Sequence, residues 1–105
     1  MATITITKVE CKRKQDVTGE DETYLYLDGT ERWNGKFEKK ESLYPNKSET
    51  FSTAIVVALK ERNGSPSSAN FKLLDQWTVK PVPVVGDKLT ASASGYEYEV
   101  TYTVK

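Results

Sequence analysis

The stretch "YEYEVTYTVK", Tyr96 to Lys105, alternates without interruption. Tyr96, Tyr98, Val100, Tyr102 and Val104 fall on one parity, and Glu97, Glu99, Thr101 and Thr103 on the other. On a helix these side chains would wind around every side, whereas an extended strand sorts them onto two faces. One face must be dry and the other wet, the pattern of an antiparallel sheet covered on one side. Two packed antiparallel sheets are the natural way to close over such a dry face. "TITIT" near the start supplies one strand, with Ile4 and Ile6 on the same face. By Val9 and Cys11 the apolar parity has switched, which predicts a bulge between Ile6 and Val9. "ETYLYLDG" is apolar on both parities, so its outward face is expected to be partly covered. "TFSTAIVVALKE" reads as the central strand, with Ile55, Val57 and Leu59 pointing inward. Ala54, Val56 and Ala58 point the other way, and the alanines leave room for a close approach. "FKLLDQWTV" and "KLTASAS" read as further strands, separated by "KPVPVVGD", where Pro81 and Pro83 exclude a central strand.

Turn signals punctuate these segments. Asp28-Gly29 and Asn34-Gly35 predict two turns flanking Trp33, after which Phe37 starts a short, charged edge strand. "SLYPNKSE" reads as a connection around Pro45, and "RNGSPSSAN" as a long polar loop. No segment carries a convincing helical stripe. The count is about seven or eight strands at sandwich-like spacing. The fold class expected is all-β, a two-sheet antiparallel β-sandwich forming a single domain over residues 1–105. Its core should contain Ile4, Ile6, Leu25, Leu27, Ile55, Val57, Leu59, Val100 and Tyr102, with Cys11 buried beside Val9.

Composition narrows the chemistry. There is no histidine, which removes the usual general base and the usual transition-metal ligand. A single cysteine allows neither an intrachain disulfide nor a cysteine-type zinc site, and it suits a reducing compartment. Fifteen basic and fifteen acidic residues cancel, so the net charge gives no reason to expect nucleic acid. Lysines and an arginine do cluster locally, at Lys8 and at residues 12–14, and again at Lys36, Lys39 and Lys40. "MATITITKVE" lacks the basic start and unbroken apolar run of a signal peptide, and no apolar run is long enough to cross a bilayer. The chain therefore reads as cytoplasmic, or as exported without a recognisable N-terminal signal. Serines and threonines have no histidine to activate them, and the chain has little room for a substrate cleft beside its own core, so the reading is non-enzymatic.

The sharpest motif is "DVTGEDETYLYLDG", Asp16 to Gly29. Asp16, Glu20, Asp21 and Glu22 are oxygen ligands around a glycine that permits a sharp turn, which is what calcium requires. The same residues also make a solvated turn. The run "ITITKVECKRKQDVTGEDETYLYL" resembles the C2 domain, a β-sandwich family with calcium loops at one end. Asp16 sits on the motif's first aspartate, Gly19 on its glycine, Glu22 on its second aspartate and Tyr24 on its tyrosine, with Thr23 in place of the proline. In "VVALKERNGSPSSANF", Glu61 and Asn63 take the family's paired aspartate positions, and Asn70 precedes Phe71. The resemblance covers about Ile4 to Val79 and implies a cation site at Asp16, Glu22, Glu61 and Asn63. It also implies that the loops at residues 16–22 and 61–64 are neighbours. The longer glutamate arms and the uncharged asparagines depart from the family set. A calcium-independent or weakly calcium-binding interaction module is therefore expected, with Lys14 or Lys60 able to stand in for the cation. No cofactor is expected, with calcium as the one ion the loop could take. A protein is the first partner expected. A carbohydrate bound by Trp33, Tyr44 and Trp77 is the alternative, and a peripheral membrane lipid ranks below it. A small inhibitor or secreted effector presenting "NGSPSSAN" is a further alternative.

Overall fold

Among the described residues, nine strands, all antiparallel, carry this pattern into two sheets. The computed structural model describes residues 1–13, 21–37, 40–63, 70–93 and 96–105. The strands are β1 (Ala2–Arg13), β2 (Asp21–Leu27), β3 (Thr30–Phe37), β4 (Ser42–Leu43), β5 (Lys47–Phe51), β6 (Ile55–Asn63), β7 (Asn70–Val79), β8 (Val84–Ala93) and β9 (Tyr96–Val104). One sheet has the order β4-β1-β9-β8, with β5 also pairing with β1, and the other has the order β3-β2-β6-β7. No helix occurs among the described residues, and none there is long and apolar enough to cross a membrane.

β1 and β9 form the centre of the first sheet, with Ile4 opposite Val104, Ile6 opposite Tyr102 and Cys11 opposite Tyr98. The parity switch in β1 is a register shift between Ile6 and Lys8, where the sequence requires it. It lets Ile4, Ile6, Val9 and Cys11 all face the core with no exposed surface. All nine residues expected in the core are there, and Tyr102, at 7% exposure, is the least buried of them. Cys11 is fully buried and in no disulfide. β2 and β6 form the centre of the second sheet, with Leu25 opposite Leu59 and Leu27 opposite Val57. Aromatic rings join the layers: Phe37 of β3 meets Tyr98 of β9 edge-on at 5.7 Å between centroids. Asp28 (φ 51°) and Gly29 (φ 81°) make the two-residue hairpin turn between β2 and β3, which needs positive φ at both positions. Asp28 also accepts the Val56 amide on its carboxylate at 2.8 Å, tying the turn to β6.

Three local expectations are corrected. Asn34-Gly35 is not a turn but lies within β3. Phe37 ends that strand instead of starting another. "SLYPNKSE" contributes β4 and most of β5, both pairing with β1, on either side of a break at buried Pro45 and at Asn46 (φ 51°). The glycine explains the first correction. Trp33, Gly35 and Phe37 share the inward face of β3, and the Trp33 indole lies across Gly35. A Cβ there would stand 2.6 Å from two indole carbons and 2.8 Å from Leu43 Cδ1. The glycine is a packing residue, and the Asn-Gly pair only imitates a turn.

Gly35→Ala should therefore overpack this edge and cost about 1–3 kcal/mol of stability. Urea denaturation of the two proteins is the check, and an unchanged midpoint would show that Trp33 does not need the close approach.

Candidate functional site

The strand ends that flank the acidic loop gather at one end of the sandwich. Thr23 of β2 lies directly opposite Glu61 of β6, and Asn63 opposite Asn70. Arg13 lies opposite Glu97 at the matching end of the other sheet. The two sheets meet there through the Phe37–Tyr98 ring contact and through Tyr96, whose hydroxyl donates to the Leu74 carbonyl at 2.9 Å. Asp16 lies outside the described residues, as does the side chain of Asn63. Glu22 and Glu61 stand on opposite faces of their sheet. Glu61 is 1% exposed, on the same inward face as Ile55, Val57 and Leu59. Glu22 faces outward and accepts a hydrogen bond from the Tyr24 hydroxyl. The two carboxylates thus do not face one another, and no group of three or more potential metal-ligating side chains occurs among the described residues. Lys60 is also outward, with its ammonium 4.4 Å from the centre of the Tyr26 ring. Lys14 is outside the described residues.

Inside this end, the Thr23–Glu61 pair is polar and buried among apolar side chains. Burial pushes the Tyr96 phenol above its ordinary pKa, and the Asp75 and Glu61 charges add to the rise. Thr23 is fully buried, and its hydroxyl has no hydrogen-bond partner among the described residues. A hydroxyl taken from water without compensation is a net cost. Thr23→Val should therefore raise stability, by about 1 kcal/mol. A loss of stability in thermal and urea melts would show that the hydroxyl has a role the fold requires.

The aromatic set is divided as well. Trp33 is half-buried against the core at the β3 edge of its sheet, and Trp77 is half-buried at the β7 edge, with two strands between them. Tyr44 is 65% exposed just beyond β4, beside the Trp33 edge. These three rings do not form one platform.

On the outward face of the other sheet, Glu99 is held between two lysines. Lys12 approaches Oε2 at 3.2 Å and Lys88 approaches Oε1 at 3.4 Å, leaving the carboxylate 11% exposed. Burial alone would raise the Glu99 pKa. The hydrogen bond and charge of Lys12, joined by Lys88, outweigh it and hold the carboxyl below its ordinary value. A depressed folded-state pKa stabilises the fold above the unfolded value, and that stabilisation is lost as pH falls through the folded value. Glu99→Gln should cost about 0.5–1 kcal/mol near neutral pH. The difference from the parent protein should close in acid, below the ordinary carboxylate range, when urea melts are compared across pH.

The two open sides of the sandwich differ most. On the β3/β5 side, the Arg32 guanidinium of one sheet pairs with Glu49 of the other and also donates to the Ser48 carbonyl at 3.3 Å. Trp33 and Leu43 fill the space beside them. Backbone bonds from Cys11 to Glu41 (2.9 Å) and from Lys40 to Cys11 (2.7 Å) fasten the segment leading into β4. On the β7/β8 side, Trp77, Val84 and Leu89 are only partly buried against the core. Leu73, Val82 and Val85 on or beside these strands are 45%, 59% and 87% exposed. The tip between β7 and β8 is stiffened by Pro81 and Pro83 and by a Val82 amide bond to the Lys80 carbonyl at 2.8 Å, so its valines are held outward. Sequence reading missed this surface because each residue alone resembles core. Only the sheet order shows that β7 and β8 are both edges.

No protein-family model and no curated protein matches the chain.

Proposed function

We propose that this chain is a non-enzymatic protein-interaction module that docks its partner along the β7/β8 side without requiring calcium. The observation that carries the reading is the asymmetry between the two open sides. One is bridged between the sheets by the Arg32–Glu49 ion pair, with Trp33 and Leu43 partly buried beside it and Tyr44 exposed. The other leaves Trp77, Val84 and Leu89 half-covered beside exposed Leu73, Val82 and Val85. Scattered exposed apolar residues need no explanation, but a set collected along one side of a domain is what protein docking uses. A protein surface is the partner chemistry that fits. The side chains are aliphatic with one indole, and they lie along two sheet edges whose backbone groups can also pair. The C2 resemblance supports the same class, as a C2-like domain working through protein contact. Calcium independence is supported by the opposite orientation of Glu22 and Glu61, together with the departures from the family's ligand set.

Replacing Val85 in one protein and Tyr44 in another with a photo-crosslinking residue tests the docking side. Irradiation in an extract of the source cells should give discrete adducts from position 85, unchanged by a calcium chelator, and few from position 44. Adducts from position 44 alone would overturn the docking side. Separately, millimolar calcium at constant ionic strength should leave the melting temperature unchanged. A clear rise would reject calcium independence, because a ligand selective for the native state must stabilise it.

A further inference from the structure

We infer that the free edge of β8 pairs with β8 of a second copy of this chain, in antiparallel register about Thr90, to form a symmetric dimer. The inference rests on the docking-side reading above and names its occupant. β8 has β9 on one side and no strand on the other among the described residues. From Asp87 to Ala93 it pairs with β9 without a shift, so this part of the edge is regular.

The other edges are guarded against such pairing. β3 carries Glu31, Arg32 and Lys36, and its ladder shifts between Leu25 and Tyr26. The β4 and β5 edge is interrupted at Pro45 and Asn46. β7 is irregular where its ladder shifts between Leu59 and Lys60 of β6. β8 is guarded only at its start, by the irregularity between Val84 and Asp87, where Gly86 has φ 65°. Bulges and charges are how natural edges avoid association. From Leu89 to Ser92, β8 has neither, nor a proline.

Self-pairing is selected by charge and by size. A two-fold pairing centred on Asp87 or Lys88 would set like charges directly opposite each other, which is unfavourable. Centred on Thr90, it sets threonine against threonine, a favourable cross-strand pair. Lys88 then lies opposite the partner's Ser92, and Leu89 lies opposite the partner's Ala91. Lys88 stays beside Glu99 on the outward face. Leu89, half-buried in one copy, gains a small apolar neighbour on the inward face. The pairing joins two five-stranded sheets into one continuous sheet and brings the two β7/β8 sides together. Such contact is isologous, as expected of a closed dimer.

Sedimentation velocity on the full chain, from about 1 µM to about 1 mM, should show reversible dimerisation across a range typical of modest affinities. Thr90→Lys would set two lysines opposite each other and should raise the dissociation constant by at least about 10-fold with unchanged circular dichroism. Ser92→Lys places lysine opposite the partner's Lys88 and should also weaken the dimer. Thr90→Cys should oxidise to a covalent dimer, because residues directly opposite across an antiparallel pair have Cα atoms about 4.5–5.5 Å apart, within the range a disulfide spans. Ser92→Cys, opposite a lysine, should not, and fully buried Cys11 supplies no competing thiol. A monomer at every concentration overturns the inference, as does a dimer indifferent to both lysine substitutions or an oxidised Ser92→Cys dimer that outruns Thr90→Cys. A monomer whose position 85 still crosslinks to a different protein would sink self-pairing while leaving the docking side in place.

Discussion

The ladder between β1 and β9 is the constraint on which the rest of the domain depends. It joins the first strand to the last and fixes the register of the first sheet, with a reciprocal pair of 2.9 Å backbone bonds between Thr3 and Lys105 at its end. Ile4, Ile6, Val9 and Cys11 from one strand and Tyr98, Val100, Tyr102 and Val104 from the other make the floor on which the second sheet lies. A slip of one residue would send either row to the wet face. The shift at Ile6 and Lys8 is therefore a condition of burial, because without it Val9 and Cys11 would point outward. The contacts are also maximally non-local, so the loop-closure cost is met before the reward arrives, and folding of this topology is expected to be slow for its size.

Most of the fold was legible because alternation reports a face directly. The tyrosines of β9, the isoleucines of β1 and the Ile55, Val57, Leu59 row of β6 each declare their inward side without knowledge of a partner strand. Register between strands is not written locally, and the candidate cation site depended on register. Glu22 and Glu61 occupy plausible motif positions in the linear chain. In the sheet, however, Thr23 is the residue opposite Glu61, so Glu22 falls one step out of phase and onto the other face. Gly35 misled for a related reason. Asn-Gly is a strong turn signal when its own conformation decides, but here an indole from the same strand needs the space a side chain would take.

Which surfaces remain sticky follows from how each outward face handles its polar groups. Tyr24, only 7% exposed on an outward face, is covered by neighbouring side chains and directs its hydroxyl to Glu22. Tyr26 lies under Lys60. These contacts explain why a strand apolar on both parities needs no third layer. Ala58 belongs to the same arrangement: it sits opposite Tyr26, and its small side chain gives the ring room. The outward face of the other sheet is rich in threonine hydroxyls, and Thr5 and Ser48 satisfy each other across β1 and β5 at 2.8 Å. The exposed aliphatic side chains Leu73, Val82 and Val85 lie on or beside β7 and β8, while Tyr44 stands exposed beside β4.

Charge reinforces that division. Lys12 and Lys88 converge on Glu99, Lys8 pairs with Glu10, and Arg32 pairs with Glu49, so much of the charge on the described surface is neutralised locally. With fifteen charges of each sign in the whole chain, no large net field remains to draw a partner from a distance. Electrostatic steering acts mainly on encounter rate and is weakened by salt. A domain built this way recognises at short range, through apolar side chains and backbone edges whose contributions depend on fit. The same economy bears on the edges: β3 and β5 spend their charges closing one side of the sandwich, and the middle of β8 carries none. The core reaches the surface along the β7/β8 side, where a short, proline-bearing link joins the two strands and leaves each at the border of its sheet.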